Sequence, residues 1–193
     1  MWFKPKCTCG AHLTPLEIPH EGPPAVEPMF APNFTWRMSW AKEPTKCSRA
    51  EMEKGVALGF EMISRYFQPS FTKSTAQVVN IFAIMSPWPH PSAGAAAMMW
   101  ADPKGQWGYR YPAIYINPNH RALATARIIR QVFAHELGHF FVDGSHLANG
   151  NIMGANGSTP GNWTQADYAY LKRKMTARPG APLPWQDTYW TGK

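Results

Sequence analysis

His135-Glu136-Leu137-Gly138-His139 sets two histidines four apart with a glutamate between them. The chain runs on as Phe140-Phe141-Val142-Asp143-Gly144-Ser145-His146. On a helix, residues four apart share one face, so both imidazoles can reach one metal ion while Glu136 sits beside them to handle a proton. The run from Ala124 to Ala134 supplies that helix, with Ile128, Ile129, Val132 and Phe133 at core-like spacing. Two histidines and a glutamate at this spacing recur by chance in unrelated helices. A third histidine beyond a glycine, followed by Asn151-Ile152-Met153-Gly154, makes the pattern far more specific. The expectation is a zinc hydrolase.

A catalytic zinc site uses three protein ligands and keeps one position open. No glutamate follows Glu136, which excludes the arrangement that takes its third ligand from a glutamate on a later helix. Two candidates remain. Asp143 lies one turn past His139, where a helical position pulls its carboxylate toward the same face at poor angles. His146 is the only later histidine, and Gly144 can end the helix and swing the chain back. His146 is favoured, given the preference of zinc for imidazole. Zinc lowers the pKa of its bound water to about 7. Glu136 cannot ligate alongside both its neighbours, so it is free to accept the water proton and pass it to a leaving amine. The bland alternative is a buried helix that happens to carry two histidines, and it loses ground once His146 and Met153 are counted.

The length of 193 residues suits one domain with appendages, and 45% hydrophobic content argues against wholesale disorder. A formal charge of +7 raises the question of an acidic partner. The longest cationic cluster is only Lys172-Arg173-Lys174, so a solvated basic surface is the better reading; a nucleic-acid-binding module is suggested by the charge alone, with no clear nucleic-acid motif. Cys7, Cys9 and Cys47 cannot all pair, which makes a disulfide framework a poor guess. The N-terminus opens no apolar run of signal-peptide length, and the apolar stretch Ala93 to Ala101 is too short to cross a bilayer. A soluble chain with no membrane partner is expected.

Residues 1–33 are rich in proline and read as an extension, residues 34–176 as the catalytic domain and residues 177–193 as a tail. Phe34 to Trp40 alternates as a half-buried strand. A helix is expected from Ser48 to Phe67, with Ser48 and Glu51 as a capping box and Met52, Val56, Phe60 (or Gly59), Ile63 and Phe67 as its stripe. Strands follow at Ser70 to Thr75, Gln77 to Ile84, Ala95 to Ala101 at an edge, and Ala113 to Asn117. Loops are expected at Pro87 to Pro91 and Gly105 to Tyr111. The motif helix comes next, then an irregular stretch from Gly144 to Trp163. A last helix starts at Thr164, with Asp167 supporting its cap, and ends near Met175. The fold class is α+β, a twisted mixed sheet of about five strands over the helix that carries the metal.

These residues resemble the metzincin metallopeptidases, and among them the matrix-metalloproteinase-like (matrixin) catalytic domain, whose pattern is H-E-x-x-H-x-x-G-x-x-H with a methionine turn. The resemblance implies a zincin fold, Zn2+ held by His135, His139 and His146, Glu136 as general base, and Met153 beneath the metal as a hydrophobic floor. It spans roughly Phe34 to Met175. The chain departs from the pattern in the link to the third histidine: Val142 stands where the family has glycine, Gly144 falls two residues later, and His146 one residue later. Structural zinc and calcium sites have no clear counterparts, since His90, His120 and Asp102 are scattered. Lys4-Pro5-Lys6-Cys7-Thr8-Cys9-Gly10 has the Pro-basic-Cys start of the family's latency peptide. It stays open between a cysteine switch, a small metal site using Cys7, Cys9 and His12, and plain thiols in an arm.

For a peptidase, a protein or peptide substrate is expected to lie extended along the edge strand, at Ala97, Met98 and Met99. Residues 154–163, Asn156 among them, would wall the pocket beyond the scissile bond. The alternative class is a non-catalytic zincin domain in which zinc is a structural staple with a binding or assembly role.

Overall fold

β1 (Asn33–Trp40) buries Phe34 and Trp36 and exposes Asn33 and Thr35, the period of two expected where one face of a sheet is covered. Toward its C-terminal end the alternation fades: Arg37, Met38 and Trp40 are half-buried and Ser39 is buried. The structure is a computed structural model, and it describes residues 32–67, 69–76, 79–85, 97–100, 113–141, 146–148, 150–154 and 162–175. Of the expected N-terminal extension only Pro32 and Asn33 fall within these residues, Asn33 as the first residue of β1; the loops at 87–91 and 105–111 and the C-terminal tail lie outside them.

Within them the chain is an α+β arrangement of three helices and one short sheet. β2 (Ser70–Lys73), β3 (Ile81–Met85), β4 (Ala97–Trp100) and β5 (Ala113–Ile116) join β1 in the order β2-β1-β3-β5-β4. Neighbours pair in parallel from β2 to β5, and β4 runs antiparallel along β5 at one edge. Parallel neighbours need crossovers, and α1 (Arg49–Ser64) supplies the one between β1 and β2. α2 (Ala126–Phe141) follows β5, and α3 (Gln165–Lys174) closes the described chain.

Two elements differ from expectation for a local reason. β3 begins at Ile81, later than the expected Gln77, and Val79 and Asn80 stand outside it. Asn80 donates its N–H to the Thr35 carbonyl at 3.0 Å and accepts the Thr35 N–H on its own Oδ1 at 2.8 Å, so a side chain takes the place of a ladder carbonyl. At α1, Ser48 Oγ accepts the Glu51 N–H at 3.1 Å, as a cap should. Glu51 does not turn back to complete the box. Its Oε1 accepts the Ala126 N–H at 2.8 Å, the first residue of α2, and so covers an otherwise open donor of the neighbouring helix.

The two long helices lie close. Met52, Val56, Phe60 and Ile63 on α1 are all buried, while Phe67, expected as the last of the stripe, lies beyond the helix end at Ser64 and is half-buried. A Cβ added at Gly59 would come within 2.7 Å of Phe133 Cδ1 and 3.2 Å of the Arg130 carbonyl, so the glycine is what permits the approach. Phe60 packs on Trp36 with centroids 4.5 Å apart and on Phe133 at 4.9 Å, while Phe34 meets Phe140 edge-on at 5.5 Å. From Phe133 to Phe141 every residue of α2 is buried, the condition of a helix enclosed on all sides. No helix of the described residues is long and apolar enough to cross a membrane.

Candidate metal centre

The enclosed half of α2 carries three polar side chains. His135 is 5% exposed, Glu136 2% and His139 2%. Burying imidazoles and a carboxylate among phenylalanines is costly unless each is bonded or shares an ion. His135 Nδ1 lies 2.5 Å from the Ile152 carbonyl oxygen. That oxygen only accepts, so Nδ1 carries the proton and Nε2 presents a lone pair. His139 Nε2 is 3.1 Å from His135 Nε2 and 3.2 Å from His146 Nε2. The His135 and His146 rings lie nearly parallel, 5.3 Å apart, with His139 edge-on to both.

A tetrahedral zinc with bonds of about 2.0–2.1 Å spaces its nitrogen ligands about 3.3 Å apart. The observed spacing matches that requirement, and among the described residues these three histidines form a group whose donor atoms can share one ion. Three imidazoles suit zinc, and suit copper, iron and nickel as well. Burial lowers the His135 pKa below that of an ordinary histidine, against opposing effects of the Ile152 carbonyl and Asp167. Burial, and then the nearby His135, lower that of His146. Both rings are therefore neutral near pH 7, the form that ligates. Glu136 Oε1 stands 3.9 Å from His135 Nε2, beside the cluster and outside hydrogen-bond contact with that nitrogen.

The turn at Asn151–Gly154 organises the centre. Its Ile152 carbonyl orients His135. Its Met153 carbonyl accepts the N–H of Leu147 at 2.8 Å, and Leu147 forms a parallel bridge with Gly154; this ties down the residue next to His146. The N–H groups of Ile152 and Met153 donate to Asp167 Oδ2 and Oδ1 at 3.0 and 2.9 Å. Asp167 is fully buried. It also closes the capping box of α3, where Thr164 Oγ1 accepts the Asp167 N–H and Asp167 accepts from Thr164. The Met153 side chain is fully buried and reaches Gly138, between the two helical histidines.

Gly138 escaped the sequence reading, although a glycine inside a helix is a signal, since it costs about 1 kcal/mol relative to alanine. A Cβ there would lie 2.9 Å from Met153 Cε, and nearer still to Sδ. Gly138→Ala is expected to destabilise the fold by about 1–3 kcal/mol through overpacking. Because Met153→Ala vacates the contested space, the double variant should cost less than the sum of the two single ones. Chemical denaturation of the four proteins measures that coupling.

The remaining sequence candidates fall out as follows. Ala97, Met98 and Met99 lie on β4, the outermost strand, and the Ala97 side chain is buried, so Ala97 offers main chain and no side chain to a partner. Asp143, Asn156, His90, Asp102, Cys7, Cys9 and His12 lie outside the described residues. His120 is half-buried, and its Nδ1 accepts the Ala122 N–H at 3.2 Å, a local turn bond. The free thiol of Cys47 is pushed up in pKa by burial and then by Glu51. Asp167, read from sequence only as a cap, also holds the turn whose Ile152 carbonyl bonds His135. Compared with known proteins, the chain matches no family model and no curated sequence.

Proposed function

We propose that the chain is a zinc-dependent endopeptidase with a metzincin-like catalytic domain. The observation that carries this is the convergence of three imidazole nitrogens at 3.1 and 3.2 Å, with a buried carboxylate 3.9 Å from one of them. The helix order, the antiparallel edge strand and the methionine turn packed on Gly138 support the metzincin reading. His135, His139 and His146 would hold the ion through Nε2, and the tie between Leu147 and Met153 supports His146 as the third ligand despite its longer link. Zinc bound there supplies a water acidified to about pKa 7 and a Lewis acid for the scissile carbonyl.

The chain's own residues do the rest. Glu136 accepts a proton on its carboxylate and returns it to the departing amine. Its buried place, with Oε1 3.9 Å from His135 Nε2, supports that role. The Ile152 carbonyl holds the His135 proton on Nδ1 and keeps Nε2 directed inward. An extended substrate strand would pair with the outer main chain of β4.

The test is cleavage of a reduced, unfolded protein by the purified chain. Cleavage should stop when a chelator removes metal and resume when zinc is restored. Stoichiometric zinc with no hydrolysis across a diverse peptide library would replace this reading with zinc as a structural staple.

A further inference from the structure

We infer that Asp167 is a positioning residue for the candidate metal centre: through the 151–154 turn it sets the orientation of His135 and the placement of His146. The inference rests on the reading of the three histidines as a metal site.

Asp167 sits at the start of α3, 14 and 15 residues from the two turn residues whose N–H groups it accepts. The same two residues turn their carbonyls the other way. Ile152 receives the His135 Nδ1–H, and Met153 receives the N–H of Leu147, next to His146. The peptide groups on either side of the Ile152 and Met153 Cα atoms are therefore fixed at both ends. One buried carboxylate takes the donors, and the histidine segments supply the protons for the acceptors.

An ordinary cap would need only the bonds to Thr164. Here Oδ2 accepts from Ile152 N–H and from Thr164 N–H, at 3.0 and 2.9 Å, while Oδ1 accepts from Met153 N–H at 2.9 Å. Both oxygens face only donors, and only an ionised carboxylate offers two acceptors in that geometry. An asparagine keeps the shape but must aim its NH2 at one of those donors whichever way it is flipped. The turn then loses a fixed peptide, and with it the acceptor that locks His135. Residues that orient a metal ligand from behind in this way typically change metal affinity by about 10–100-fold.

The experiment compares the full-length chain with Asp167→Asn, using cobalt(II) as the probe. Ile81→Ala, a cavity in the sheet, serves as a control for lost stability. Cobalt affinity and the visible absorption band are read at a temperature where circular dichroism shows every protein folded. Ring nitrogen NMR of His135 is recorded without metal. Asp167→Asn is expected to bind cobalt about 10–100-fold more weakly, with a shifted band and a His135 ring no longer held in the Nδ1–H form. Ile81→Ala should match the wild type in all three. If Asp167→Asn does not fold, Asp167→Glu, which displaces the carboxylate by one methylene, is read against the same expectations. Wild-type affinity, band and tautomer in the folded variant would overturn the inference alone, as would equal weakening in Ile81→Ala. A wild-type chain that takes up no cobalt would overturn the metal reading and this inference with it.

Discussion

Glu136→Gln is expected to slow cleavage of an unfolded protein by about 10²–10⁴-fold, the usual contribution of a general base, while zinc remains bound one to one. The amide has nearly the same shape as the carboxylate, so a side chain that is 2% exposed can be replaced without opening a cavity. What is lost is the capacity to take a proton. The 3.9 Å separation from His135 Nε2 puts the carboxylate beside the donor set and outside it, which is why metal content should not follow activity down. Measuring kcat/KM together with bound zinc separates the two roles. Unchanged turnover would move the proton transfer to another group. Loss of zinc together with activity would make Glu136 a ligand.

Metal should also appear as a large stability increment. Free zinc at a thousandfold excess over its Kd is expected to add about 4 kcal/mol to the folded state. At 2–4 °C per kcal/mol for a chain of this size, that amounts to about 8–16 °C in Tm. The increment arises because the folded chain already brings three ring nitrogens to within 4.8 Å of one another, an arrangement the unfolded chain lacks. His139→Ala should lose most of the shift, since His139 Nε2 is the atom within 3.1 and 3.2 Å of the other two. Scanning calorimetry with and without zinc measures this for both proteins. Equal shifts would locate the ion elsewhere, for example at Cys7 and Cys9.

The parts of this centre that sequence displays are those governed by a local period. Four-residue spacing on a helix brings His135 and His139 together, and a Thr–Asp pair three apart marks the start of α3. The stripe on α1 follows the same arithmetic. Other features depend on residues far apart in the chain. Glu51 looks like the second half of its own helix cap, yet it bonds Ala126, 75 residues away. Asp167 looks complete as a cap and shows nothing of the turn it also holds. Alternation reveals strands but not their partners, so the order β2-β1-β3-β5-β4 and the parallel pairing became visible only with the helices in place. Gly138 was a half-legible case: its cost inside a helix is apparent, and its reason, Met153, is fifteen residues downstream.

The bond from Leu147 to the Met153 carbonyl bears on how such sites are recognised at all. The residue after His146 is held by the turn, so the histidine's position is constrained from its C-terminal side and not only by the count of residues from His139. A pattern that demands a fixed count between second and third histidine makes no use of that second constraint. A criterion that asked instead for a histidine one residue before a strand bridge to the methionine turn would use it.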